Sequence, residues 1–481
     1  MIRNNKFDLI IVGGGAAAFS AAIKANMHEV KTAMIERGSL GGTCINVGCI
    51  PSKNLLGAGQ IVHTSKKPSY QSVFPCDSNF DFSKAIADKD CLVRYLQSEK
   101  YYDVLSGLDH VELIEADGSF ISDKKLKVTN GVAGNKRILE ADKFIIATGS
   151  SASAPQFDGM DNIDYLSNVE ALSLKEKPSS MIVVGGRALG LEFAQMYSRF
   201  GTKVTLLQRS ERIIPNHEPE ISDALYNYLI EEGIEIITGV DLKSVHQKNG
   251  VKFAIALVKD GIEKTVKTFE TEQLLMATGR KPNSADLHLE NAGFKLRKED
   301  GAIIVNSEMK TTAPHIWAGG DVIGEPMLET AAAKEGATAA ENAIKGSHKR
   351  VDLISIPSAI FTSPQVASVG LTEQQMMERY GYCSCKTVDM KQVPRALTVN
   401  ETNGLIKMTV DPAKNNRILG VHILANIAAD MIHEAVIAVK YRLTIDDIID
   451  TVHVFPTMTE AIKLVATTFK QDINKLSCCA E

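Results

Sequence analysis

Phe7-Asp8-Leu9-Ile10-Ile11-Val12-Gly13-Gly14-Gly15-Ala16-Ala17-Ala18 is the stretch whose reading decides the fold. Its first six residues form a nearly unbroken apolar run, as a parallel strand buried on both faces requires. Three glycines end the run, and an alanine-rich helical stretch follows. Gly13 suits the tight turn, Gly15 lets a pyrophosphate approach the backbone, and Ala18 permits close packing of helix on strand. The amides at the helix start then face the phosphates. A second strand, Thr32-Ala33-Met34-Ile35, leads to Glu36, placed to hydrogen-bond a ribose hydroxyl. Strand, glycines, helix, strand and acid in this order make a dinucleotide fingerprint.

The same order returns at Met181-Ile182-Val183-Val184-Gly185-Gly186-Arg187-Ala188-Leu189-Gly190, ahead of a helix and the strand Lys203-Val204-Thr205-Leu206-Leu207. Gly185 and Gly190 keep the outer glycine positions, while Arg187 occupies the middle one. Where an acid would select the free ribose of NAD, the chain reads Gln208-Arg209-Ser210-Glu211-Arg212. Arg209 and Arg212 suit a 2′-phosphate, so NADPH is expected over NADH; a solvated basic turn is the alternative. Two buried runs, 143–150 and 273–280, both reach Ala-Thr-Gly and mark the exits from the two nucleotide domains. Asp321, in Trp317-Ala318-Gly319-Gly320-Asp321, could bind a polyol hydroxyl or simply sit in a surface turn.

Past Lys349 the composition turns β-rich (363–369, 405–410, 418–424) and then helical. The expected architecture is α/β: two Rossmann-like domains, for FAD and NAD(P), plus a C-terminal α+β dimerisation domain. The expected boundaries are 1–152 and 281–349 for the FAD half, 153–280 for NADPH and 350–481 for dimerisation. A chain of 481 residues is too long for one core, and its 44% hydrophobic content is ordinary for a globular protein. A net charge of -5 without a long basic run argues against nucleic acid or an anionic membrane as partner. The N-terminus lacks the apolar run of a secretory signal and no segment is long enough to span a bilayer, so a cytoplasmic location is expected.

Between the two fingerprints lies Gly41-Gly42-Thr43-Cys44-Ile45-Asn46-Val47-Gly48-Cys49-Ile50-Pro51-Ser52-Lys53. Cysteines five positions apart can close a disulfide if the backbone bends to suit. A structural disulfide is one reading. A redox-active pair facing a flavin is the more economical one just after a nucleotide fingerprint. Cys383 and Cys385 form a possible soft-metal clip, weighed against two ordinary free thiols on one face of a strand. Cys76 and Cys91 look incidental.

Taken together, the Cys44/Cys49 segment, both fingerprints, both Ala-Thr-Gly exits and Gly319-Gly320-Asp321 resemble the pyridine nucleotide-disulfide oxidoreductases along nearly the whole chain. The resemblance implies FAD contacts at Gly15, Ala18, Glu36, Gly38, Thr43, Lys53, Gly118 and Asp321, with Glu329 contributing through its backbone. It implies Lys53 paired with Glu192 beside the flavin, Cys49 next to the ring and Cys44 on the substrate side. The vicinal pair in Leu476-Ser477-Cys478-Cys479-Ala480-Glu481 is similar to the tail of the family's mercury-reducing members, as are Val393-Pro394-Arg395-Ala396 and 466–472. Tyr101 matches a tyrosine lining their mercury site, though half-buried packing would also explain it.

Hg(II) is a soft cation that thiolates prefer to hold. The resemblance therefore implies that Hg(II), carried as a thiolate complex, passes from Cys478 and Cys479 of the partner subunit of a homodimer to Cys44 and Cys49. There it is reduced with electrons from NADPH through FAD. A frayed terminus with two incidental thiols is the alternative for the tail. Disulfide-reducing members carry His-x-His-Pro, whose second histidine is the acid-base. Here the run is His453-Val454-Phe455-Pro456, so that position is Phe455, where the mercury-reducing members usually have tyrosine.

Overall fold

The computed structural model describes residues 5–76, 79–130, 134–261 and 263–475. The chain divides into two units. The first comprises Met1–Ser52, Ile86–Ser153 and Gly279–Leu353, the second Lys53–Ala85, Ala154–Thr278 and Ile354–Glu481.

In the first unit the strand Lys6–Val12 lies centrally in a parallel array. Thr32–Glu36 and then Val111–Glu115 flank it on one side, Lys136–Ile146 and then Ile316–Ala318 on the other. Its apolar run is continuous because both faces are covered: Leu9, Ile10 and Ile11 are fully buried. Each such side chain contributes about 1.5–3 kcal/mol by leaving water. An antiparallel extension, Asp117–Ser122 and Lys125–Thr129, continues from Lys136–Ile146. The second unit repeats the plan with Glu235–Ile237, Lys203–Leu207, Ser180–Val184 and Gln273–Met276 in parallel order. An antiparallel trio, Val240–Lys248, Val251–Asp260 and Glu263–Thr271, accompanies it.

The repeat explains why each glycine loop comes with an Ala-Thr-Gly exit. Gly13 has φ +126°, and a Cβ there would stand 2.1 Å from the Ala147 carbonyl oxygen. Gly185 has φ +113°, and its Cβ would stand 2.3 Å from the Ala277 carbonyl oxygen. In both places the loop lies directly on the end of the neighbouring strand, so a side chain is excluded by conformation and by contact.

The C-terminal part of the second unit is a five-stranded antiparallel sheet ordered Ser358–Ile360, Gln365–Gly370, Arg417–Ala425, Leu405–Asp411, Ser384–Asp389. One face, with Ile406, Met408, Val421 and Ile423, packs on the helices Ala428–Tyr441 and Glu460–Thr467. The alternate residues, Cys385, Lys407, Thr409 and His422, share the other face. Among the described residues no helix is long and apolar enough to cross a membrane.

Candidate redox site and nucleotide loops

In the first unit, Cys44 lies in the short helix Gly42–Val47 and Cys49 opens the next helix, Cys49–Lys66. Gly48 lets the two abut, since a Cβ there would come within 2.7 Å of the Thr43 carbonyl oxygen. The break folds Cys44 back toward Cys49. The two are not joined as a disulfide in this structure; Cys44 is half-buried and Cys49 exposed, and they share a hydrogen bond. That contact with Cys49, then burial, push the Cys44 thiol far up.

Two further groups face Cys44. Glu329 begins the helix Glu329–Lys345, and its carboxyl hydrogen-bonds with Cys44. Burial raises that carboxyl, and the negative Asp321 adds to the rise. The resemblance implied only a backbone role for Glu329; its side chain faces the thiol. Tyr101 lies within the π-helical turn Ser98–Tyr102 and packs edge-on against Phe19, with ring centroids 4.7 Å apart. Burial, followed by the charges of Glu329, Cys44 and Cys49, holds its phenol up at about 12. It keeps its proton near neutrality and so remains a donor.

Asp321 is no idle turn residue. It accepts a hydrogen bond from Ser150 Oγ at 2.5 Å and stands 3.8 Å from Arg280 Nε. Arg280 donates to Ser150 Oγ and to the Ser150 carbonyl at 2.7 Å each, and to Thr43 Oγ1 at 3.2 Å. Ser150 and Arg280 were not singled out in the sequence, although Arg280 directly follows an Ala-Thr-Gly exit. A polar cluster around Thr43 and Asp321 depends on pairings 130 or more positions apart, which a local reading does not show. Glu36 accepts from the Gly38 amide at 2.6 Å, and a Cβ at Gly14 would meet Glu36 Oε2 at 2.7 Å. The carboxylate is thus brought to the glycine loop. Ala18 is fully buried, and Gly118 lies against Ile35 and Leu126.

In the second unit, Lys53 Nζ lies 2.6 Å from Glu192 Oε2, and the Phe361 amide donates to Glu192 Oε1 at 2.8 Å. The ammonium also sits 4.7 Å from the centroid of the Phe361 ring. Glu192 is buried, so its charge is satisfied by these partners. At the other loop, Gln208 Oε1 accepts from the Gly186 amide at 2.8 Å and Gln208 Nε2 donates to the Arg212 carbonyl at 3.2 Å. Arg212 is paired with Asp223 at 2.8 Å, whereas Arg209 is exposed and makes no ion pair among the described residues. Of the two cations expected to meet a 2′-phosphate, Arg209 is the open one.

Both glycine loops offer anion sites. The helices Ala16–Met27 and Ala188–Arg199 start after Gly15 and Arg187, in extended conformation and with no side-chain cap. Their first amides are left for a phosphate. Residues and geometry therefore fit dinucleotides at both loops. His453 bonds to Glu434 at 2.8 Å and to the Thr451 carbonyl at 2.9 Å, a structural role, and Phe455 is 45% exposed. Cys478 and Cys479 lie outside the described residues. Cys76 and Cys91 are exposed. Cys383 and Cys385 are half-buried and in contact; burial pushes Cys383 up to about 12 and raises Cys385 as well.

Residues 7–336 match the pyridine nucleotide-disulphide oxidoreductase family, and 356–466 match the dimerisation domain of those oxidoreductases. The chain belongs to this family. It is an oxidoreductase with FAD and a nicotinamide nucleotide as cofactors. Mercuric reductase of Staphylococcus aureus is 41% identical over 99% of this chain and 85% of its own length. Mercuric reductase of Streptomyces lividans is 39% identical over 98% of both chains. Among solved structures, the Cu(II) complex of the HOCl-induced flavoprotein disulfide reductase RclA from Escherichia coli superposes with a TM-score of 0.84. It is 28% identical, and the match covers 97% of this chain and all of that one.

Proposed function

We propose that this oxidoreductase reduces Hg(II), presented as a thiolate complex, to elemental mercury at Cys44 and Cys49, in the cytoplasm and as a homodimer. The observation that carries the reading is the contact between the Cys44 and Cys49 thiols, with the half-buried Glu329 carboxyl on the flank of Cys44. FAD, when bound, supplies an electron pair to this site, and NADPH is its source. The similarity to mercuric reductases over the full chain supports the choice of metal.

The chain's own residues then act as follows. Cys478 and Cys479 of the partner subunit present the ion. Cys44 displaces one of its thiolates, Glu329 takes the Cys44 proton and passes it to the departing thiolate, and Cys49 repeats the exchange. Each exchange forms one S–Hg bond and breaks one, with the proton conserved. Tyr101, still protonated, donates toward the sulfurs and steadies their negative charge. Lys53, fixed by Glu192, provides positive charge for an electron-rich partner. Such an exchange asks for no histidine at position 455, because the proton needs no carrier beyond Glu329. Steady-state assays test the reading: NADPH oxidation is driven by Hg(II) in excess thiol and not by lipoamide or oxidised glutathione. The reverse preference would make the chain a disulfide reductase.

Two predictions arise from single residues. Glu329→Gln removes a negative neighbour that helps hold the Cys44 thiol up, so alkylation of Cys44 at pH 8 should speed up several-fold. Unchanged alkylation would separate Glu329 from Cys44. Arg209→Ala removes the open cation of the second loop. It should raise KM for NADPH roughly ten- to a hundredfold, as expected for one charge-assisted contact of about 1.5–3 kcal/mol, with KM for NADH nearly unmoved.

A further inference from the structure

We propose that Cys383, Cys385 and Glu373 form a second metal site, apart from the Cys44/Cys49 pair, that takes one soft divalent cation such as Cd(II) or Hg(II). The two sulfurs and a Glu373 carboxylate oxygen all lie within 4.8 Å of one another. With the zinc–thiolate length of about 2.3 Å as the shortest case, one ion bridges sulfurs about 3.8 Å apart tetrahedrally and about 4.6 Å apart linearly, and a larger ion such as Cd(II) spans slightly more. The set therefore closes on an ion with small shifts.

The backbone builds this arrangement. Cys385 is in the edge strand Ser384–Asp389 and Cys383 directly precedes it, so the alternation of the strand turns both thiols to one face. Glu373 opens the helix Glu373–Tyr380 over that face. Its amide donates to Glu218 Oε1 at 2.7 Å, and its Oε2 accepts from Lys407 Nζ at 2.6 Å. A ligand held this way is oriented before any ion arrives. Lys407 also contacts Glu218 and Glu220 at 2.9 Å each, so three carboxylates surround one ammonium and leave negative charge in excess. Two thiolates select a soft ion over Mg(II) or Ca(II). Binding forms two metal–sulfur bonds and releases two thiol protons to solvent, with no change of oxidation state. The proposal stands whether or not Cys44 and Cys49 reduce mercury.

The test uses the full flavin-loaded chain, with Cd(II) as probe in a millimolar monothiol and peptide-resolved alkylation as the readout. Cys383 and Cys385 should be protected together by Cd(II) and released together by a chelator, while the exposed single thiols Cys76 and Cys91 stay reactive. Cys383→Ser should abolish protection of Cys385, and Glu373→Gln should weaken it about tenfold. Equal alkylation of Cys383 and Cys385 with and without Cd(II) in the unsubstituted chain would overturn the proposal, as would full protection of Cys385 in Cys383→Ser. Cys44 and Cys49 fall on a tryptic peptide apart from that of Cys383 and Cys385, so their fate is scored separately.

Discussion

Cys49→Ser should retain its yellow flavin yet lose Hg(II)-dependent NADPH oxidation by roughly a thousandfold or more, the scale of losing a reacting side chain. A serine hydroxyl does not ionise near neutrality and is a hard ligand for a soft ion, so it can neither take electrons as sulfur does nor hold mercury. Cys49 is exposed and begins its helix, so the substitution removes little packing. The residues that bring Glu36 to the first loop and fix Asp321 are untouched. Cys44→Ser should be equally inactive. Flavin absorbance per chain, measured beside turnover, separates loss of chemistry from loss of cofactor. A variant keeping more than about a tenth of the rate would remove the pair from the reaction.

Lys407→Met should cost about 3–5 kcal/mol of stability in denaturant unfolding, the range for breaking a buried ion pair from one side. Lys407 and Glu218 are almost wholly buried, with side chains 2% and 1% exposed, and Glu220 and Glu373 share the same ammonium. Methionine fills the stem but leaves three carboxylates without their cation. The pH dependence has a definite sign. Hydrogen bonding to Lys407 depresses the Glu373 carboxyl. Its share of wild-type stability is therefore present above the unfolded carboxylate pKa and is lost as pH falls through the lower folded value. The variant lacks that share, so the gap between the two proteins should narrow in acid. A constant gap across the acid range would locate the stabilisation elsewhere.

How far the residues alone disclosed these features follows from distance along the chain. Both nucleotide folds were legible because each is written in about thirty consecutive residues, and in 7–18 and 181–190 the strand, turn and helix signals follow one another directly. Cys44 and Cys49 were legible for the same reason. The strand Glu263–Thr271 and the edge strand Ser384–Asp389 were less so, since they are mostly exposed or half-buried and show little alternation of buried and exposed residues. Arg280 on Ser150, Glu329 on Cys44 and Lys407 among three glutamates were hidden from a local reading. Each depends on partners brought together from distant parts of the chain by packing, with no periodic signal. Gln208 marks an intermediate case: its place at a strand end was visible, but not its bond to the Gly186 amide.

Reduction of Hg(II) takes two electrons, as many as one NADPH yields. The most direct measurement is the elemental mercury swept from anaerobic enzyme with Hg(II) and excess thiol, counted against NADPH consumed. One mercury atom released per NADPH is the expected result. NADPH consumption without mercury vapour would contradict it.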